Sequence, residues 1–269
     1  MSAYKIEAGT AQHIGNRPQQ NDRAALYTAA KAPGYVMAVL ADGINGGAIA
    51  SDQVLHTSKH LFDEFRVGDS PRLPRLAELL RNIAREAHDI IKMNPIAATS
   101  EPQSTMVILI LTPLGQAIWA HVGDSRLYRF ASGNCVLRSS DSAYVDHLVT
   151  VDKLPLDAAK RHRNSKLLSN VLGSTFKEPY VTIGSHEGLQ PGDAFLLCSD
   201  GLWQFFTDQE LAGAVDRHPP RVASEKLINK AIERSLGKGD NCSMVIVKLV
   251  APPKEAPPNY TVQKMGRAV

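Results

Sequence analysis

The sequence predicts an α+β fold in which groups of strands are separated by blocks of helix, and three observations carry that prediction. Short apolar runs bounded by Gly, Pro or Asp recur along the chain, as buried strands do. Two stretches between them repeat apolar residues at intervals of three and four. The strands also fall in neighbouring pairs, which suits a layered α+β domain better than the strict strand–helix alternation of a doubly wound sheet.

The first strand is expected at Tyr35–Ala41. Val54, Leu61, Phe62 and Phe65 then share one helical face, and Leu76, Leu79, Leu80, Ile83, Ala87, Ile90 and Ile91 share another. Gly68 is the expected stop of the first helix, and the second ends before Pro95. Thr105–Leu111 and Ala117–His121 are the next strands. Arg126–Phe130 and Cys135–Arg138 flank Ser132-Gly-Asn134, where Gly and Asn tolerate the positive φ of a hairpin turn. Helix is expected around Leu154–Leu172, Asp208–Val215 and Val222–Ser235, and strands at Ala194–Cys198 and Ser243–Val250. The proline-dense Ala251–Pro258 can continue neither, so residues 1–250 are read as one domain and 251–269 as a flexible tail.

Composition narrows the function classes. Of 269 residues, 30 are Lys or Arg and 27 Asp or Glu, and a net charge of +3 is too small for a dedicated nucleic-acid binder. Three cysteines, Cys135, Cys198 and Cys242, form no Cys-x-x-Cys pair and no disulfide framework, which fits a reducing compartment. The longest apolar run, Met106–Leu111, falls far short of the roughly 20 residues that span a bilayer, and Met1-Ser-Ala-Tyr-Lys5 lacks a signal peptide's apolar core. The expectation is a cytoplasmic protein with neither nucleic acid nor membrane as partner.

Four aspartates sit where apolar strands stop or start: Asp42, Asp124, Asp200 and Asp240. One Asp-Gly is ordinarily a turn. Several carboxylates converging at strand mouths, however, would repel one another unless a cation neutralised them. Hard oxygen donors of this kind select Mg²⁺, Mn²⁺ or Ca²⁺. Spacing alone does not say that the four meet.

The order of motifs does carry a resemblance. Ala41-Asp-Gly-Ile-Asn-Gly-Gly47, Val122-Gly-Asp-Ser-Arg-Leu-Tyr128, Leu196-Leu-Cys-Ser-Asp-Gly-Leu-Trp203 and Asp240-Asn-Cys-Ser243 follow one another as in the metal-dependent serine/threonine protein phosphatases of type 2C. Arg17-Pro-Gln-Gln-Asn-Asp22 resembles that family's opening motif, and the likeness covers roughly residues 5 to 250. It implies an αββα sandwich, two central antiparallel sheets flanked by helices, with a two-metal centre at one edge. On that pattern Asp42 bridges both ions, the Gly43 carbonyl binds one, and Asp200 with Asp240 bind the other. Asp22 holds metal-bound water, Asp124 shares a weaker third ion with Asp200, and Arg17 clamps phosphate.

The implied chemistry suits those residue types. A guanidinium forks two hydrogen bonds onto phosphate and stays charged. A water bridging two ions roughly 3.5–4 Å apart loses its proton easily and attacks phosphorus in line.

The resemblance thus implies a bacterial Mn²⁺- or Mg²⁺-dependent hydrolase of phosphoserine and phosphothreonine in proteins, opposing a serine/threonine kinase. The rivals are a pseudophosphatase serving as a phosphoprotein-binding scaffold and a phosphatase of a small phosphorylated molecule. Departures from the pattern are the neutral amide Asn21 where other members carry Glu, Asn45 at a usual glycine or as one inserted residue, no glycine in Pro102–Thr105, no histidine in Ser139–Ser142, and Ile44 where eukaryotic members often carry a histidine. His121 is read as a packed or solvated strand residue, Lys160-Arg-His-Arg163 as a solvated helix face, and Trp203, Phe205 and Phe206 as core.

Overall fold

The computed structural model describes residues 4–44, 47–68, 72–93, 101–139, 153–155, 157–158 and 170–252. The Lys160–Arg163 cluster, most of the expected helix at Leu154–Leu172, Asn45 and residues 253–269 of the tail lie outside the described residues, and at the described end of that stretch Leu172 is not helical but exchanges two backbone hydrogen bonds with Ser104.

In chain order the strands are β1 (Lys5–His13), β2 (Arg23–Thr28), β3 (Val36–Ala41), β4 (Gly43–Ile44), β5 (Gln103–Ser104), β6 (Met106–Leu111), β7 (Gln116–Val122), β8 (Arg126–Ala131), β9 (Asn134–Arg138), β10 (Thr182–Glu187), β11 (Ala194–Cys198) and β12 (Cys242–Val250). The helices are α1 (Ala48–Glu64), α2 (Arg72–Met93), α3 (Asp200–Trp203), α4 (Asp208–Arg217) and α5 (Pro220–Ser235). Two antiparallel five-stranded sheets run β1-β12-β11-β8-β9 and β10-β7-β6-β3-β2, and β4 pairs with β5 beside them.

The long apolar runs have a physical reason: the central strands are covered on both faces. In β3, Met37 and Val39 point to α1 and α2, while Ala38 and Leu40 point between the sheets. In β6, Ile108 and Ile110 meet the helices, and Val107, Leu109 and Leu111 face Phe195, Leu197, Val245 and Val247 across the inter-sheet layer. On the other side Tyr128, Leu196, Met244 and Ile246 pack on Leu211, Val215, Leu227 and Ala231 of α4 and α5. Three apolar layers between four structural layers make the αββα sandwich. Each fully buried Leu, Ile or Val contributes about 1.5–3 kcal/mol, so a charge at Leu109, 1% exposed between the sheets, would disrupt the stack.

Local signals set the ends. Thr207 and Glu210 form a reciprocal capping box at α4, and α5 begins at Pro220 and closes on Leu236 in the left-handed region. Some boundaries differ from expectation. α1 stops at Glu64, because Phe65 turns extended and packs its ring on the core instead of continuing to Gly68. In the β8–β9 turn the positive φ values fall on Ser132 and Gly133, not Gly133 and Asn134, since Asn134 already opens β9. β1, β2 and β10 were not marked by long apolar runs, because they lie toward the sheet edges and bury little.

Candidate metal centre and phosphate clamp

All four strand-end aspartates lie at one edge of the sandwich, together with Asp22. Asp42 follows β3, Asp124 stands in the β7–β8 turn, Asp200 opens α3 directly after β11, and Asp240 precedes β12. Burial and the carboxylates at Asp22, Asp200 and Asp124 push Asp42 well above the usual carboxylate range. Burial, with Asp124, Asp240 and Asp22 nearby, pushes Asp200 up to about 7. Asp22 is fully buried, and its carboxyl is raised chiefly by that burial.

Asp22, Asp42 and Asp124 are held from outside the cluster, Asp22 by its carboxylate and the other two by their backbones. The Asp42 backbone is pinned on both sides, its N–H donating to Thr105 Oγ1 (3.0 Å) and its carbonyl accepting from Thr105 N (2.9 Å) and Ser104 Oγ (3.1 Å). Gly43 passes so close to Asn21 and Gly47 that a Cβ would stand 2.9 and 2.6 Å from their carbonyl oxygens, so only glycine fits. Ser199 Oγ donates to Asp22 Oδ2 at 2.7 Å and itself accepts from Ser243 N at 3.0 Å. Trp203 Nε1 donates to the Asp124 carbonyl at 3.0 Å, and the Arg126 guanidinium stacks on the Trp203 ring at 3.4 Å. Trp203, Phe205 and Phe206 pack against the α4–α5 core as expected, and Trp203 in addition ties Asp124 to that core.

Arg17 approaches from the loop after β1. Its Nη2 lies 2.5 Å from Asp240 Oδ2, and its charge is further favoured by Asp200 and Asp42. The side chain remains 59% exposed, so the guanidinium can meet a ligand from solvent.

Asn241 is a residue whose role the motif reading missed. Its Oδ1 accepts from Asn21 N at 2.7 Å, and its Nδ2 donates to the Ile14 (2.8 Å) and Gln19 (3.0 Å) carbonyls. One buried side chain thus closes the loop carrying Arg17 and Asp22. Arg23 supports the same loop through the Gln20 and Asp22 carbonyls. The only sequence signal for Asn241 was its place directly after Asp240. His121 is buried within β7, and Ile44, paired with Gln103, brings no ionisable group to the edge.

The donor set fits hard divalent cations. Asp22 Oδ1 and Asn21 Oδ1 are buried without a hydrogen-bond donor, and the group facing Asp22 is the Asp42 carboxyl. Two carboxyls facing each other without a donor require a proton or a cation between them. Among the described residues no three His, Cys, Asp or Glu side chains close on one point as a preformed shell, and Asp240 turns one oxygen to Arg17.

A family model described as Protein phosphatase 2C matches residues 9–237. The serine/threonine protein phosphatase PstP of Mycobacterium tuberculosis is 28% identical over 235 residues, covering 86% of this chain and 42% of PstP, so the chain spans less than half of that relative. The serine/threonine phosphatase of S. agalactiae superposes with a TM-score of 0.77 over 91% of this chain and 99% of that one at 22% identity, which bears on fold alone. A PstP catalytic domain in complex with 2 manganese ions shares the fold at a TM-score of 0.69 and 24% identity, covering 91% of this chain and 98% of that one. The span matched by the family model opens within β1 and takes in β2 to β11 with the motifs at Asp42, Asp124 and Asp200, ending before Asp240 and β12, and the chain belongs to the protein phosphatase 2C family.

Proposed function

We propose that this protein hydrolyses phosphoserine and phosphothreonine in proteins, using two Mn²⁺ or Mg²⁺ ions and a weaker third, and opposes a serine/threonine kinase in the cytoplasm. Residues 1–250 form the catalytic domain and 251–269 a tail. One observation carries the reading: an exposed arginine faces a buried edge where burial and the carboxylates at Asp22 and Asp124 raise the proton affinity of both Asp42 and Asp200. No helix among the described residues is long and apolar enough to cross a membrane.

Asp42, the Gly43 carbonyl, Asp200 and Asp240 would hold the two core ions, and Asp124 with Asp200 would hold the third. When bound, such ions supply Lewis acidity toward water and toward the phosphoryl oxygens. Arg17 offers forked N–H donors to two phosphate oxygens and orients the phosphorus for in-line attack. Asp22, with Oδ2 fixed by Ser199, keeps Oδ1 free to accept a proton of the attacking water. Thr105 and Ser104 keep Asp42 in place as charge develops.

The test is hydrolysis of a phosphothreonine peptide with and without Mn²⁺, against a phosphotyrosine peptide. Metal-dependent release of phosphate from phosphothreonine is expected. Binding without turnover at saturating Mn²⁺ would make the protein a scaffold, and turnover confined to small phosphate esters would remove proteins as substrates.

A further inference from the structure

Next to the carboxylate edge lies a pocket of ≈ 180 Å³ that the proposed chemistry leaves unused. Its wall is shared with that edge through Asp240 and Gly201. Gly201 passes under the Asn241 carbonyl so closely that a Cβ would lie 2.1 Å from that oxygen. The interior is apolar: Phe205, Ala231 and Ile232 from the α3–α5 side, and Cys242 at the start of β12. Ala231 and Cys242 are 1% and 3% exposed, so both belong to a packed wall.

We propose that this pocket is a substrate subsite. It takes the apolar side chain, of Leu to Phe size, of a residue one or two positions from the phosphorylated Ser or Thr. The inference rests on the phosphatase reading above and adds a sequence preference to it.

Position supports it first. Asp240 lines the pocket and touches Arg17 at 2.5 Å, so a phosphoryl group gripped by Arg17 leaves the peptide backbone one or two steps of about 3.8 Å from the pocket. Size agrees, because an apolar cavity of about 150 Å³ already accepts benzene.

The rim then selects the chemistry. His13 Nδ1 accepts from Gly15 N at 2.9 Å, and Ser235 Oγ donates to the Ile232 carbonyl at 2.8 Å. Asn16 is joined to Gly239 in both directions, N to carbonyl at 2.8 Å and Gly239 N to Asn16 Oδ1 at 3.1 Å. His13 Nδ1, Ser235 Oγ, Asn16 Oδ1 and the Asn16 and Gly239 N–H groups on the rim are thus already partnered within the chain, and the interior offers burial of apolar surface. An incoming cation would find the Asp240 carboxylate already engaged by Arg17 and by Asn241 N, and would be desolvated with little in return; an acidic residue would meet Asp240 as a like charge.

The experiment uses the full chain with Mn²⁺ and compares p-nitrophenyl phosphate with phosphothreonine peptides carrying Gly, Leu, Phe, Lys or Asp at each of the two positions on either side. Leu or Phe at one position is expected to raise kcat/KM roughly 10-fold over Gly, with no gain from Lys or Asp. Ser235→Phe, which fills the pocket from its rim, should erase that gain and leave p-nitrophenyl phosphate turnover unchanged. Ile232→Ala, which enlarges the pocket, should shift preference from Leu toward Phe and gives an independent readout should Ser235→Phe fail to fold. Equal rates across all flanking residues, or a gain unaffected by both variants, would overturn the subsite while leaving the phosphatase standing. Failure to hydrolyse any of these esters would remove the phosphatase reading and the subsite with it.

Discussion

Arg17→Ala separates a catalytic arginine from a structural one. The Arg17–Asp240 pair is 59% and 32% exposed, so solvent screens it, and its loss should cost at most about 1 kcal/mol of stability. In a chain of 269 residues that corresponds to a melting shift of about 2–4 °C. Removing a charged group that stabilises the transferring phosphoryl should instead cost about 2–4 kcal/mol of transition-state stabilisation, or about 30- to 1000-fold in kcat/KM. A third consequence follows from geometry. Arg17 occupies Asp240 Oδ2, and without it that oxygen is released while the carboxylates at Asp42 and Asp200 lose a neighbouring positive charge. Mn²⁺ should therefore bind the variant at least as tightly as the parent. The assays are phosphothreonine peptide kinetics at saturating Mn²⁺, differential scanning fluorimetry, and Mn²⁺ titration by calorimetry. A melting loss above 10 °C with unchanged kcat/KM in the surviving folded protein would refute the reasoning, as would activity restored simply by adding more Mn²⁺.

Asp42→Ala should cut metal-dependent turnover by orders of magnitude, yet leave the metal-free protein at neutral pH as stable as the parent or more so, because it removes a buried carboxylate that others repel; melting curves in chelator check the second half. Asp200 supplies a pH dependence: its folded value near 7 exceeds the unfolded 3.8, so the folded state keeps a proton that the unfolded chain has released. Stability present below about pH 4 should then be lost as pH rises toward 7, at up to about 1.4 kcal/mol per unit, and denaturant titrations in chelator should show the fall while saturating Mn²⁺ suppresses it. Asn241→Ala removes three hydrogen bonds, worth together about 2–4 kcal/mol, and hydrogen exchange should rise over residues 14–21 before it rises in β12. Asp124→Ala should leave two tight Mn²⁺ equivalents measurable while slowing turnover; full activity across the same titration would reduce Asp124 to a turn residue.

The amino-acid sequence by itself determined the strands that are buried on both faces and the amphipathic helices that cover them. Runs such as Met106–Leu111 and Ala194–Cys198 are apolar at every position because each lies between two layers, and that pattern is local. It likewise placed Asp42, Asp124, Asp200 and Asp240 at strand ends, and the order of their motifs carried the family. Strands with little buried surface left no such trace: β1 has one buried residue in nine, and its place is decided by nine backbone pairs with β12, more than 200 residues away. The same separation hid the supports of the site. Asn241 reaches Ile14, Gln19 and Asn21, Ser199 reaches Asp22, and Arg17 reaches Asp240 only because β11 and β12 lie side by side and β1 pairs with β12. Spacing along a chain can nominate carboxylates, but their mutual repulsion, and the hydroxyl and amide groups that hold them against it, depend on distances that exist only once the two sheets are stacked.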